Sequence, residues 1–224
     1  MSTEEQFEGN QSVESINQFY ENNKNNIFIA GIALIILAAG IYYYSNVYKP
    51  QMEEDASSSF FMAERYYSID SLNKALNGDG IALGMLDIAD EFGSTKTGNQ
   101  AKYYAGRILL EQGKYEEALD YLKDASIDDE FLSAQIITLQ GDCKSELEQY
   151  EDAGDTYMKA ANHRNNLLTT PYALQKAGLA YEEAKSYNDA LEAYERLQEE
   201  YSETQFARNI EARIGRVKAK IASN

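Results

Sequence analysis

The 224-residue chain is acidic and poor in residues that break helices. It contains 37 Asp and Glu against 20 Lys and Arg, for a formal net charge of −17, and only 2 prolines and 1 cysteine. Such a charge opposes binding to nucleic-acid phosphates and to anionic lipid surfaces. The scarcity of proline favours helices over a sheet of short strands, and one cysteine excludes an internal disulfide. We therefore expect an all-α protein.

A long apolar stretch near the N-terminus predicts a single transmembrane helix. Residues 27–48 read IFIAGIALIILAAGIYYYSNVY, and the uncharged run at their start would span roughly 27 Å as a helix. Tyrosines lie at the end of the stretch, and Lys49 follows it. Aromatic rings and lysine side chains are common at the level of the lipid headgroups. A cleaved signal peptide is the alternative, but such peptides start with a basic segment and have a shorter apolar core. Residues 1–26 are acidic instead, so we predict that the helix is retained.

Three similar segments follow: GKYEEALDYLKDA at 113–125, EQYEDAGDTYMKA at 148–160 and KSYNDALEAYERL at 185–197. Seven residues before each segment lies a glycine, which is followed twelve residues later by alanine and four residues beyond that by a large side chain. These positions are Gly106, Ala118 and Leu122, then Gly141, Ala153 and Tyr157, then Gly178, Ala190 and Tyr194. A period near ~34 residues with small residues at these offsets is the signature of tetratricopeptide repeats, each an antiparallel pair of helices.

The small residues have a physical purpose in this pattern. Where the two helices of a repeat cross, glycine and alanine allow close approach and the large side chain fills the gap. Tyrosines nine residues after each glycine precede acidic residues that favour the start of a second helix, and they are Tyr115, Tyr150 and Tyr187. Lys102 and Lys144 depart from the pattern, because an aromatic residue is usual at these positions. The three matched repeats nevertheless predict a stacked α-solenoid.

The flanking segments are expected to complete the solenoid. GIALGMLDIADEF at 80–92 aligns Ala82 with Ala118, which predicts the second helix of a degenerate first repeat whose first helix covers about 53–76. Residues 203–221 predict one amphipathic helix that covers the apolar end of the last repeat. We therefore expect a transmembrane helix at 27–48, a stalk and first solenoid helix at 49–76, and a repeat domain with its cap at 77–222.

The inner helix of each repeat should line a concave groove that binds protein. The predicted groove residues are Tyr103, Arg107 and Leu110 in the first matched repeat, Thr138, Asp142 and Ser145 in the second, and Tyr172, Gln175 and Leu179 in the third. Aromatic and Arg side chains often carry binding energy at interfaces, so Tyr103, Arg107 and Tyr172 are the expected anchors. The alternative for each position is an ordinary solvated helix residue.

Residue combinations typical of catalytic and metal sites are missing from the sequence. His163 is the only histidine and is expected in the surface loop NHRNN, where a metal site or a nucleophile–base pair would need further partners. Cys143 follows a packing glycine and is expected to be a small buried apolar residue. Glycine-rich phosphate-binding loops do not occur. We predict a protein with no enzymatic activity, cofactor or metal.

The order of segments resembles the YfgM-like tetratricopeptide proteins of the bacterial inner membrane. The resemblance covers nearly the whole chain: an acidic tail, one span, AERYYSIDSLNKALNGDG at 63–80, STKTGNQAKYYAGRILLEQGKYEEALDYL at 94–122, and TTPYALQKAGLAYEEAKSYNDALEAYERLQEEYSETQFARNIEARIGR at 169–216. It implies a cytoplasmic tail at 1–26, a periplasmic repeat domain, and association with the SecYEG translocon and a PpiD-like periplasmic chaperone. We further expect the protein to hold unfolded polypeptides that emerge from the translocon. The alternative is a repeat adaptor for another envelope assembly complex, or for an enzyme whose chemistry lies in a partner subunit.

Overall fold

The computed structural model describes residues 3–223, with side chains from residue 18 onward, and divides the chain into units at 1–51 and 52–224. Every regular element in residues 3–223 is helical. The helices are α1 (Thr3–Tyr43), a π-helical turn (Tyr44–Tyr48), α2 (Lys49–Ser68), α3 (Leu72–Asn77), α4 (Met85–Glu91), α5 (Lys96–Glu111), α6 (Tyr115–Asp124), α7 (Glu130–Glu146), α8 (Tyr150–Asn162), α9 (Thr169–Glu183), α10 (Tyr187–Tyr201), a 3-10 turn (Gln205–Ala207) and α11 (Ile210–Ser223).

The first unit contains the predicted transmembrane stretch. The helical segment Gln18–Ser68 is long and apolar enough to cross a membrane, by length and composition. The apolar side chains of residues 27–48 are exposed, as expected for groups that would face lipid; among them are Phe28, Leu34, Ile35, Ile36 and Leu37. A signal sequence passes the same criterion, so retention of this helix in the mature protein stays a prediction.

The second unit is a stack of helical hairpins. Helices α5 and α6, α7 and α8, and α9 and α10 pair with each other, while α6 packs on α7, α8 on α9, and α11 on α10. This is the predicted α-solenoid. Its buried side chains form two apolar cores, one around α2 to α7 and the other around α8 to α11.

The repeated glycines lie where the paired helices cross, as the spacing predicts. A Cβ added to Gly106 would lie 2.5 Å from the Leu122 side chain. At Gly141 it would lie 2.5 Å from the Tyr157 ring, and the third hairpin has the same arrangement. The alanines twelve residues after each glycine, Ala118, Ala153 and Ala190, are fully buried. The side chain of glycine is a single hydrogen atom, so the neighbouring helix can approach more closely than any larger side chain would allow.

The turns between paired helices also repeat. Gly113, Glu148 and Lys185 each lie two residues before the second helix and have φ values of 76°, 59° and 62°. Glycine adopts this left-handed backbone freely, whereas for other residues it costs roughly 1–2 kcal/mol. The second helices then begin at Tyr115, Tyr150 and Tyr187, the tyrosines of the repeated pattern.

The flanking segments differ from the prediction. The expected helix at 53–76 is broken at residues 69–71, where Asp70 has a φ of 58°, so α2 and α3 are separate. Ala82 lies in the turn before α4 instead of in a helix crossing, and Ala89 is the buried small residue of α4. The expected helix at 203–221 is also interrupted, because Asn209 has a φ of 62° and α11 begins at Ile210.

Glu53 on α2 caps the distant N-terminus of α5. Its Oε2 accepts a hydrogen bond from the Lys96 amide at 2.7 Å, and its Oε1 accepts from the Thr97 amide at 3.1 Å and the Thr97 hydroxyl at 2.6 Å. The Thr95 hydroxyl accepts from the Gly98 amide at 2.9 Å. The first three amides of α5, which have no partner within the helix, are therefore all bonded. A carboxylate at this position also interacts favourably with the helix dipole.

We expect Glu53→Ala to destabilise the repeat domain by about 1–2 kcal/mol, because it leaves two helix amides and a buried hydroxyl without their acceptor. Burial raises the pKa of Glu53, but hydrogen bonds from Thr97 and Lys96 and the Lys96 charge outweigh it, so the pKa falls below the ordinary value of 4.5. The stabilisation is therefore present above pH 4.5 and disappears as the pH falls through the lower folded-state pKa.

Thermal unfolding of the full chain in detergent, followed by circular dichroism between pH 7 and pH 3, measures this effect. The difference between wild type and Glu53→Ala should shrink at the acid end. The matched control is Glu54→Ala, which removes the exposed neighbouring carboxylate. Equal destabilisation by both substitutions would contradict a specific role for Glu53.

Candidate functional site

Three cavities lie along one side of the repeat domain and share lining residues. The apolar cavity, about 300 Å³, is lined by Phe131, Gln135, Thr138, Leu168, Thr169, Tyr172 and Phe206. The central cavity, about 260 Å³, includes Ser145, Tyr157, Tyr172, Gln175, Lys176, Leu179 and Glu183. The polar cavity, about 220 Å³, includes Leu110, Tyr115, Asp142, Ser145, Glu146, Tyr157 and Lys176. We call the three together the groove.

The groove contains most of the predicted binding residues. Leu110 lies at the polar cavity, Asp142 and Ser145 line it from α7, and Tyr172, Gln175 and Leu179 line the central cavity from α9. The side chains of Tyr172 and Leu179 are 37% and 38% exposed, so both are accessible to a partner. Helical spacing therefore identified residues that line these cavities, and whether they bind protein stays a prediction.

Tyr103 and Thr138 are corrections to the predicted set. Their side chains are only 4% and 3% exposed, so neither projects into solvent. Each lies three residues before a packing glycine, and residues three apart share a helix face. Both side chains therefore lie on the buried face of their helix, and packing of α2 on α5 also covers Tyr103. Thr138 donates its hydroxyl hydrogen to the Ala134 carbonyl at 2.9 Å and contributes to the apolar cavity, whereas Tyr103 belongs to the first core.

Arg107 lies away from the three cavities and packs on aromatic rings. Its Nη1 donates to the Tyr103 hydroxyl at 3.2 Å, and its guanidinium carbon lies 5.7 Å from the ring centres of both Tyr67 and Tyr103. Cation–π contacts of this kind hold the side chain against α2. Arg107 and Tyr103 thus form a contact between α2 and α5, and the expectation that both anchor a partner in the groove is not supported by their position.

A lysine that the repeat pattern did not single out occupies the centre of the groove. The Nζ of Lys176 lies 2.7 Å from Oδ1 of Asp142, and 5.4 Å and 5.3 Å from the ring centres of Tyr157 and Tyr172. The Tyr157 hydroxyl donates to the same Asp142 oxygen at 2.7 Å. We call Asp142, Tyr157, Tyr172 and Lys176 the central cluster. Lys176 is four residues after Tyr172 and three before Leu179, so helical spacing alone could have identified it.

Electrostatics stabilise the protonated forms of Lys176 and Tyr157 in the central cluster. Burial lowers the pKa of Lys176, but the Asp142 carboxylate and the Tyr172 hydroxyl outweigh burial and raise the pKa above 10.5. Burial and then the Asp142 charge raise the pKa of Tyr157, so its hydroxyl keeps its proton and donates to Asp142. The cluster is thus an ion pair surrounded by two aromatic rings, which orders the middle of the groove.

The apolar cavity is lined by residues from separate segments of the chain, and the repeat pattern does not predict that these segments meet. Phe131 lies in the first turn of α7 and is 47% exposed, Leu168 precedes α9 and is 57% exposed, and Phe206 lies in the 3-10 turn after α10. The ring centres of Phe206 and Tyr172 are 5.5 Å apart. Large apolar side chains that remain exposed around a concave cavity are typical of binding sites for other proteins.

Residues 18–223 contain few side chains that are placed to act in catalysis or to bind a metal. There, no group of three or more His, Cys, Asp or Glu side chains is placed to hold a metal ion. Cys143 is fully buried, and burial raises the pKa of its thiol to about 12, so the reactive thiolate is disfavoured. His163 lies in the loop after α8, as predicted, and its Nε2 contacts the Ser133 hydroxyl at 2.9 Å. The absence of enzymatic activity stays a prediction.

Comparison with known families supports the repeat assignment. The tetratricopeptide repeat model matches residues 100–125 and 172–204, which cover most of the hairpins α5–α6 and α9–α10. No curated protein matches the chain significantly. Repeats of this family typically act as scaffolds for protein interactions. The chain is therefore all-helical, with tetratricopeptide repeats following an N-terminal helix that is long and apolar enough to cross a membrane.

Proposed function

We propose that the protein is a membrane-anchored scaffold that holds a segment of another protein in the groove. The observation that carries this proposal is the row of three connected cavities, in which exposed Phe131, Leu168 and Tyr172 surround a space of about 300 Å³. When a partner covers apolar side chains at a concave surface, their removal from water lowers the free energy of the complex. Repeats of this family commonly use such a surface to bind proteins.

If residues 27–48 anchor the protein in the membrane, weak contacts in the groove are sufficient to hold a partner. Two proteins confined to one membrane have a raised effective concentration, so binding can be effective without a large interface. A tethered scaffold that binds and releases its partner agrees with this arrangement.

The resemblance to the YfgM-like proteins supports a more specific version of this proposal. In that version residues 27–48 cross the bacterial inner membrane, the N-terminus is cytoplasmic, and the repeat domain is periplasmic. The scaffold then keeps a PpiD-like chaperone, and unfolded polypeptides, beside the SecYEG translocon. The alternative is an adaptor for another envelope assembly complex, since tetratricopeptide repeats occur in many different assemblies.

Site-specific photocrosslinking in membranes tests the proposal. A photoreactive residue at Leu179, which is exposed in the central cavity, should form crosslinks to a partner. The same residue at Glu192, an exposed position on α10 that lines none of the three cavities, is the matched control. We expect translocon and chaperone subunits among the Leu179 products after purification in mild detergent.

The products separate the versions of the proposal. Translocon and periplasmic chaperone subunits would support the specific version, including the periplasmic position of the repeats. Crosslinks to a different envelope complex would favour the adaptor alternative. Equal products from Leu179 and Glu192, or none from Leu179, would show that the groove is not the binding site.

A further inference from the structure

The groove has two chemically different ends because α7 and α9 lie side by side in the same direction. Phe131 from the start of α7 meets Leu168 and Tyr172 from the start of α9 at the apolar cavity. Ser145 near the end of α7 meets Leu179 and Glu183 near the end of α9 at the central cavity. A segment lying along the groove therefore contacts apolar residues at one end and the C-terminal turns of both helices at the other.

The end formed by these C-terminal turns is acidic. Glu146 is the last residue of α7 and Glu183 is the last residue of α9, and both are exposed where they line the groove. The carboxyl end of a helix adds a partial negative charge of its own. The net charge of the whole chain, −17, strengthens the attraction for cations.

The lysines of α7 and α9 near this end have other contacts. Lys176 pairs with Asp142 at 2.7 Å, and the Nζ of Lys144 donates to the Thr156 hydroxyl at 2.9 Å. Lys185 follows α9 in the exposed turn. Neither Lys144 nor Lys176 is paired with Glu146 or Glu183, so these two carboxylates remain available to a partner's cation.

The distance between the two ends sets the spacing of the partner's side chains. Along α9 the rise from Tyr172 to Glu183 is about 16 Å, at about 1.5 Å per residue. The rise along α7 from Gln135, which lines the near edge of the apolar cavity, to Glu146 is about the same. An extended chain covers this distance in about five residues, at about 3.3 Å per residue.

We propose, building on the proposed function, that the groove binds an extended protein segment with a basic residue about five positions from a large aromatic or aliphatic residue. The apolar side chain enters the cavity between Phe131, Leu168 and Tyr172. The Lys or Arg side chain lies between Glu146 and Glu183. Charge complementarity makes acidic segments of the same apolar content weak ligands.

Fluorescence polarisation with labelled synthetic peptides and the full chain in detergent micelles tests this inference. The parent peptide has Phe and Arg about five positions apart in a Gly/Ser background, and three others change Arg to Glu, Phe to Ala, or the spacing to about two. We expect each change to weaken binding at least about tenfold at low salt. The effect of Arg to Glu should shrink between about 50 mM and about 500 mM salt, because salt screens exposed charges. Empty micelles control for binding of peptide to detergent.

Paired protein variants assign the effect to the groove. The double substitution Glu146→Gln and Glu183→Gln should reduce the preference for Arg over Glu, whereas Glu192→Gln should not. Phe131→Ala with Leu168→Ala should weaken binding of every Phe-containing peptide, with helicity checked by circular dichroism.

Equal or tighter binding of the Glu peptide, or no binding of any peptide, would overturn the inference about ligand chemistry. The proposed function would still stand if Leu179 crosslinked a partner in membranes. Loss of both peptide binding and Leu179 crosslinks would overturn the groove as a binding site altogether.

Discussion

Gly178→Ala should destabilise the repeat domain by about 1–3 kcal/mol, although alanine is ordinarily the better helix residue. The added Cβ would lie 2.2 Å from a ring carbon of Tyr194. That ring cannot move aside easily, because Tyr194 is fully buried and its hydroxyl donates to Glu182 at 2.7 Å. Overpacking of this kind exceeds the gain of about 1 kcal/mol expected from helix propensity alone.

Gly215→Ala is the matched control, since it makes the same substitution in another helix of the same unit. A Cβ at Gly215 meets nothing within 4 Å, and the residue is exposed on α11. We expect this variant to be more stable than wild type by about 0.5–1 kcal/mol. Thermal unfolding of both variants measures the difference, and a stabilised Gly178→Ala would show that the α9–α10 crossing is looser than described.

Asp142→Ala should cost about 2 kcal/mol, because it leaves both Lys176 and the Tyr157 hydroxyl without their acceptor. The ion-paired side chains are only 27% and 20% exposed, for Lys176 and Asp142 respectively, so water replaces the lost contacts incompletely. Since the pKa of Lys176 is raised, the stabilisation from this charge pair is fully present below its ordinary value of 10.5 and disappears as the pH rises through the folded-state pKa. The loss should therefore be the same at pH 6 and pH 9.

A double-mutant cycle separates the ion pair from general packing. Lys176→Met in the Asp142→Ala background removes the unpaired charge while keeping the length of the side chain, so we expect part of the lost stability to return. Glu192→Ala, which removes an exposed carboxylate of α10, should have little effect. Denaturant unfolding provides the four free energies, and additive single effects would mean that Asp142 and Lys176 do not interact.

The sequence by itself determined the helices of the three matched repeats and the apolar N-terminal stretch, whereas the flanking helices differ from the prediction. Gly178, Ala190 and Tyr194 could be assigned to one helix crossing because their spacing reflects the geometry of a single hairpin. Tyr115 could be placed at a helix start for the same reason. Hairpins of this kind depend on contacts between residues that are near in the chain, and a regular period records such contacts directly.

Only the tertiary structure decided which surfaces the hairpins leave open. Lys176 meets Asp142 from the preceding repeat, and Phe206 reaches Tyr172 from beyond α10. Glu53 caps α5 across two intervening helices, and the same packing buries Tyr103. These contacts depend on how one hairpin rotates against the next, and small residues at each crossing allow that packing without encoding which side chains meet. The pattern could therefore predict a groove, whereas its charges and apolar cavity depend on residues that only the stacked helices bring together.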